Sequence, residues 1–397
     1  MKKGLLCIIA LCLMLTSCFE DGYDLRHVDK TLHFGTDTLW TPFNCTGDVM
    51  LTGFIYETTT LKYLQIPDGP AYFAISVQDE YLTDRTGVYD FTVKVVAGSS
   101  TMEKGGIVVK SIDMGAMPSF LKEDDVVLDL TDPMVFVTAV NDAPSYLTTH
   151  LTIQSYDENG QVLSQCVTDD ITLSPKSKER LCLAQSEPTN WAHRMKGARY
   201  VHAEGLPLLI KKIPHRIQVE CADVVGQLED PGQAGKVFDL KFRFGVFIPF
   251  EFGPDFHLVA RDSTQSLGFE LADYADLQPG EIVVEAKVDN DIALDVDVTG
   301  HLLDEAGREI QGLTINKVSV PARHSDYPVV LHLNAEAPYK LNDFMDGSNG
   351  AQKLHHLQAE ATLTTGTCPS ELITLDSKIR LHHVRVGIVG GITINAN

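Results

Sequence analysis

Two stretches of this chain carry the same ordered landmarks, and that repetition limits the fold more than any other feature. Residues 137–163 read VTAVNDAPSYLTTHLTIQSYDENGQVL, and residues 286–310 read AKVDNDIALDVDVTGHLLDEAGREI. Each has an Asn-Asp pair (Asn141–Asp142, Asn290–Asp291), an alternating run, and an Asp-Glu-x-Gly turn closing at Gly160 or Gly307. The turns lie 147 residues apart (304 minus 157) and the asparagines 149 apart (290 minus 141), so the first copy holds two extra residues between them. Alternation with period two is the mark of a half-buried strand, and a glycine able to take positive φ suits the hairpin that follows. Leu147, Thr149, Leu151 and Ile153 share one face of the first copy. Leu294, Val296 and Val298 share the matching face of the second, with Asp295, Asp297 and Thr299 directed outward.

The correspondence continues past the turns. Ile171-Thr172-Leu173-Ser174-Pro175 resembles Val318-Ser319-Val320-Pro321, a strand ended by proline. Ala203-Glu204 matches Ala359-Glu360, and Val224-Val225-Gly226 matches Ile388-Val389-Gly390, with offsets that grow to 156 and 164 (359 minus 203, 388 minus 224). A growing offset places insertions in surface loops of the second copy, near 346–350 and 366–370. Upstream, Val49–Ile55, Tyr72–Ser76 and Tyr89–Val95 alternate in the same way, separated by Pro/Asp/Gly turns. Phe242, Phe244 and Val246 read as core, in a strand stopped by Pro249. Helix is expected only as short pieces, at 190–197 and 342–346. A chain of 397 residues exceeds one comfortable core. These patterns predict an all-β protein of two tandem antiparallel β-sandwich units from an internal duplication, at 24–226 and 227–397.

The N-terminus is read separately. Lys2 and Lys3 precede an apolar run, Leu5 to Leu15, too short to span a bilayer, so residues 1–17 predict a cleaved signal peptide. The run ends in Leu15-Thr16-Ser17-Cys18, which resembles a bacterial lipobox. That resemblance implies cleavage before Cys18 and acylation of its thiol, a membrane anchor of several chains. Phe19-Glu20-Asp21-Gly22-Tyr23 follows, and this acidic leader over 18–23 resembles the surface-export signal of Bacteroidota lipoproteins. The implied location is the outer membrane, lipid-anchored and facing out, in a group where tandem β-sandwiches are common. The block Val288-Asp289-Asn290-Asp291 to Gly307 faintly resembles the water-stress (late-embryogenesis-abundant) domain, a fibronectin-like sandwich. Its Asn-x-Asn motif is imperfect here, because Asp291 and Asp142 directly follow the asparagines.

Acidic residues outnumber basic ones 54 to 32, and loss of Lys2 and Lys3 with the signal takes the balance from −22 to −24. That excludes a nucleic-acid partner, which would require basic patches. Besides Cys18, the mature chain keeps Cys45, Cys166, Cys182, Cys221 and Cys368, an odd set without C-x-x-C spacing. Cys166–Cys182 is the pair with which a disulfide is expected, if there is one. His355-His356 and His382-His383 invite a metal reading, yet neighbours on a strand point to opposite faces, so solvated strand residues are expected. Asp289, Asp291, Asp295 and Asp297 open like a calcium loop but lack its glycine. No G-x-S-x-G, H-E-x-x-H or G-x-x-x-x-G-K-[ST] occurs. No catalytic residue, metal ligand or cofactor is therefore expected, and Cys18 is the one site predicted. Trp40, Trp191 and Tyr200 are the candidate sugar platforms, with packing the simpler role. The expected function is a non-catalytic envelope lipoprotein with a glycan or protein partner. The alternatives are a glycan-binding accessory of polysaccharide uptake, a fimbrial component accepting a partner strand, and an enzyme of the paired-carboxylate type.

Overall fold

The computed structural model describes residues 32–34, 38–42, 47–50, 61–65, 71–77, 90–104, 109–113, 125–188, 197–221, 223–263, 281–374, 376–389 and 392–394. The signal peptide 1–17, Cys18, the leader 18–23, Cys45 and most of the expected helix at 190–197 lie outside these residues. The described residues fall into two compact units: one within 57–258 and 369–374, the other within 32–50, 259–368 and 376–394. This division differs from the 226/227 break read from the sequence. The reason is the aromatic strand at 237–249, which completes the first unit.

Sixteen strands carry the argument. In the first unit these are β1 (Asp90–Ala97), β2 (Met134–Asn141), β3 (Leu147–Thr149), β4 (Leu151–Tyr156), β5 (Val162–Thr168), β6 (Ile171–Leu173), β7 (Ser177–Ala184), β8 (Ala198–Glu204), β9 (Arg216–Cys221) and β10 (Val237–Pro249). Here β10 runs antiparallel to β1 and to β2, and β2 pairs with β7. Its Leu240, Phe242 and Phe244 join Val93, Val95, Val137 and Leu147 in one core, and the Phe91 ring lies 5.2 Å from that of Phe242. Each of those phenylalanines withdraws a large apolar area from water, which ties the strand to this unit. Beyond Gly245 the buried side changes. Val246 is half-buried, while Phe247 packs with Met134, Cys182, Ala184 and Leu372 in a second cluster, and Leu372 explains why 369–374 belongs here.

In the second unit β11 (Glu281–Asn290) lies between β14 (His324–Ala335) and β16 (Lys378–Val389) in one sheet. In the other, β12 (Asp295–Leu303) lies between β13 (Val318–Val320) and β15 (His356–Thr364). Helix α1 (Leu341–Asp346) falls where a short helix was expected and buries Leu341 and Phe344 against Leu302, Leu313 and Leu357. The protein is all-β, and among the described strand pairs β7 and β8 run parallel while the others named above are antiparallel.

Corresponding hydrogen bonds recur in the two copies of the repeated block. Asn141 is fully buried at the end of β2 and donates from Nδ2 to the carbonyls of Ser145 (3.0 Å) and Ser174 (2.9 Å), while its Oδ1 accepts from Ala143 N–H. Asn290 does the same at the end of β11, with Leu294 (2.9 Å), Pro321 (3.0 Å) and Ile292 N–H. Lys176 (φ 51) and Arg323 (φ 54) both adopt the left-handed region and both donate their side chains to the carbonyl of the aspartate after the asparagine, Asp142 or Asp291. The turns match as well: Gly160 (φ 79) and Gly307 (φ 74) donate to the carbonyls of Asp157 and Asp304.

Two of the more distant sequence matches are corrected by strand pairing. β4 pairs Tyr156 with Arg216, and β12 pairs Leu303 with His356, so the counterpart of β15 is β9 and not the strand holding Ala203-Glu204. Likewise Asn141 faces Leu240 and Asn290 faces Ile379, so β16 corresponds to β10 and not to Val224-Val225-Gly226. Alternating residues look alike on any strand, and only the hydrogen-bonded partner distinguishes them.

Cys166 and Cys182, the pair left open for a disulfide, are not joined. Cys166, Cys182 and Cys221 are free and buried. β8 lies between β5 and β7, so the first two cysteines are two strand spacings apart, about 10 Å across the sheet, and their registers offset them further along it, beyond a disulfide's reach. They also face different clusters. Burial pushes both thiols up to about 12.

Candidate functional site

Asp289, Asp326 and His382 stand on the three adjacent strands β11, β14 and β16, and their ligand atoms all lie within 4.8 Å of one another. Two backbone irregularities bring them together. The β11–β14 register shifts between Val288 and Asn290, with Asp326 at φ 53 on the partner strand. The β11–β16 register shifts between Glu285 and Lys287, with His383 at φ 53. Bulges of this kind turn side chains away from their regular alternation. Consequently the rings of His382 and His383 meet edge to face, with centroids 4.8 Å apart and Nδ1 atoms 2.6 Å apart. The opposite-faces rule applied to this pair in the sequence does not hold at a bulge. The His355 and His356 rings stand farther apart, at 6.2 Å.

The electrostatics of the cluster are anionic with two cations at its rim. Asp289 Oδ1 accepts the backbone N–H of Asp326 (2.8 Å), and that bond, followed by His382, holds its carboxyl below the usual range. His382 Nε2 lies 3.3 Å from Asp289 and 3.9 Å from Asp326. The Nε2 atom is buried and none of these approaches is aligned as a hydrogen bond. Lys287 Nζ approaches Asp326 at 3.1 Å, and Arg380 adds positive charge near Asp289.

The other acids read from the sequence go separate ways. Asp295 Oδ1 accepts Ala322 N–H and Asp297 pairs with Lys317 at 2.5 Å, so the run Asp289 to Asp297 forms no common loop site. Burial pushes Asp297 up, but Lys317 and Ser319 more than offset it. Asp132 and Glu251 form the nearest thing to a paired-carboxylate site. Burial raises both, and Asp132 adds to the rise at Glu251.

Of the candidate platforms, Trp40 carries the Arg385 guanidinium over its ring at 4.3 Å and lies against Gly387. Tyr200 packs beside Cys182 and Phe136, its hydroxyl 3.3 Å from His202 Nδ1. Trp191 lies outside the described residues. The bulged cluster left two separate sequence signals, the His382-His383 pair and Asp289 in the acidic run. Their partner Asp326 left none.

No family model matches this chain, and no curated protein does. Among solved structures, a Parabacteroides distasonis protein classed as secreted aligns over 89% of this chain and 100% of its own, at TM-score 0.59 and 17% identity. The likeness concerns the fold. An agarase (TM-score 0.24, 12% identity, 44% of this chain and 24% of that one) and a tandem CBM22 domain from Paenibacillus barcinonensis (0.18, 9%, 90% and 97%) are too distant to bear on function. Among the described residues, no helix is long and apolar enough to cross a membrane.

Proposed function

We propose that the protein is a non-catalytic lipoprotein of the cell envelope, tethered through Cys18 and displaying its two β units at the cell surface for structural or binding roles. The observation that carries this reading is Cys18 itself, which follows a short apolar run and precedes the acidic stretch Glu20-Asp21. A role in binding or structure, not turnover, is supported by how the polar residues are used. Asn141, Asn290, Lys176 and Arg323 all serve the framework. The glycan-accessory variant loses support at Trp40, whose ring face is taken by Arg385.

Protease treatment of intact cells, comparing the wild-type chain with Cys18→Ala, tests the proposal. Digestion of the wild-type chain, together with release of the variant from the membrane fraction, is the expected result. Protection of the wild-type chain until lysis would place it inside the envelope and end the surface reading. Membrane retention of Cys18→Ala would end the lipid-anchor reading.

A further inference from the structure

We infer that Asp289, Asp326 and His382 form a binding site for one divalent transition-metal ion of the zinc class. The first argument is distance. Bonds of about 2.0–2.1 Å in a tetrahedron place neighbouring donor atoms about 3.3 Å apart. Asp289 Oδ1 and His382 Nε2 already stand at 3.3 Å, and Asp326 Oδ1 at 3.9 Å from that nitrogen needs only a small closure. The second is the state of the imidazole. Nε2 is buried and faces two carboxylates at 3.3 and 3.9 Å without an aligned hydrogen bond to either, an open donor position between two anions. At the other end of the ring, the 2.6 Å approach to His383 requires one proton between the two Nδ1 atoms. When His382 supplies that proton, Nε2 is left as a lone-pair donor directed between two anions. Metal-bound histidines are held in this tautomer by an outer partner in the same way.

The donor set selects the class of ion. One imidazole and two carboxylates suit zinc and its neighbours, while calcium prefers six to eight oxygens. Three protein donors leave a fourth position to water or to a donor from a partner. Three strands supply the ligands, so the ion would pin β14 and β16 to β11 where both pairings are bulged. Lys287 competes for Asp326, but its side chain is half-exposed and free to swing into solvent.

The test is titration of the full mature chain with Co²⁺, followed by absorption and calorimetry, and competition by Zn²⁺. One saturable equivalent with tetrahedral Co²⁺ bands, displaced by Zn²⁺, is expected. His382→Ala should abolish that equivalent. Asp326→Asn, at an exposed position where asparagine accepts positive φ, should weaken it at least about tenfold without unfolding the domain. Lys287→Ala should strengthen it. His355→Ala serves as the control for ordinary surface histidines and should leave it unchanged. Absence of saturable binding would overturn the site and leave the cluster a set of strand-to-strand polar contacts. So would an equivalent that survives both His382→Ala and Asp326→Asn.

Discussion

At the scale of single residues, Asn141 and Asn290 each satisfy three backbone groups where a strand ends and its ladder no longer can. Alanine at either position takes the side-chain partner from two carbonyls and one buried N–H, although the Ser174 carbonyl keeps a bond from Ser177 Oγ. Each such loss is worth about 1–3 kcal/mol before relaxation or water entry. Asn141→Ala and Asn290→Ala are therefore expected to destabilise their own units by about 3 kcal/mol each, and by similar amounts, in urea unfolding. If one proved neutral, the equivalence of the two clasps would be lost. Glu251 shows the opposite economy. Burial and then Asp132 raise its carboxyl, against Thr131, so the folded chain holds a proton there more tightly than the unfolded chain does. Stability contributed by that proton is present at low pH and is lost as pH rises through the folded value. Glu251→Gln should consequently flatten the fall in stability between around pH 5 and around pH 7, and should be no less stable than wild type at the upper end. Urea midpoints at the two pH values measure this. Legibility at this scale was uneven. The asparagines were visible because their spacing recurs, whereas Asp326 was invisible because only a bulge on a neighbouring strand brings it to His382.

At the scale of elements, the sequence exposed alternation but not pairing. The strands in the repeated block, the turns at Gly160 and Gly307 and the short helix at 341–346 could all be read locally, since each depends on contacts within about a dozen residues. The parallel β7–β8 pair, and the true counterparts of β15 and β16, depend on partners far along the chain, and local alternation is blind to these. The strand Leu39–Pro42 is a further case. It pairs with β16, setting Trp40 opposite Gly387. A Cβ at Gly387 would stand 3.0 Å from the Trp40 ring and 2.5 Å from Thr38 Cγ2, so the glycine is what lets the indole lie flat on the strand. Gly387→Ala should lift Leu39–Pro42 off β16 at a cost of about 1–3 kcal/mol, the usual range for overpacking. In a Trp191→Phe background, fluorescence would then come from Trp40 alone, the chain having only two tryptophans. The expected outcome is a red-shifted emission and earlier proteolysis at the lifted strand. Unchanged emission would mean that the strand is held elsewhere.

At the scale of the whole molecule, the point where the chain is divided follows from β10. Its thirteen residues alternate well enough to open a second unit, and a break after the repeated landmarks at 226 then looks natural. Burial argues otherwise: Leu240, Phe242, Phe244 and Phe247 are all in first-unit clusters, and Phe242 and Phe247 are fully buried. Removing β10 would uncover both β1 and β2 along their hydrogen-bonding edges as well as stripping the core. Four large side chains at about 1.5–3 kcal/mol each come to roughly 6–12 kcal/mol, comparable with the whole stability of a domain. A fragment spanning 57–226 is therefore expected to aggregate or remain unfolded. A fragment spanning 57–258, which keeps β10 and lacks the 369–374 segment that bonds to Phe250 and Phe252, should be soluble and unfold cooperatively in calorimetry. The complementary fragment 259–397 lacks the strands Leu39–Pro42 and Gly47–Met50, both of which pair with β16. It should fold less stably than a chain in which residues 32–56 are joined to its N-terminus by a flexible linker. Cooperative folding of 57–226 without β10 would restore the division at 226 and detach the aromatic strand from the first unit.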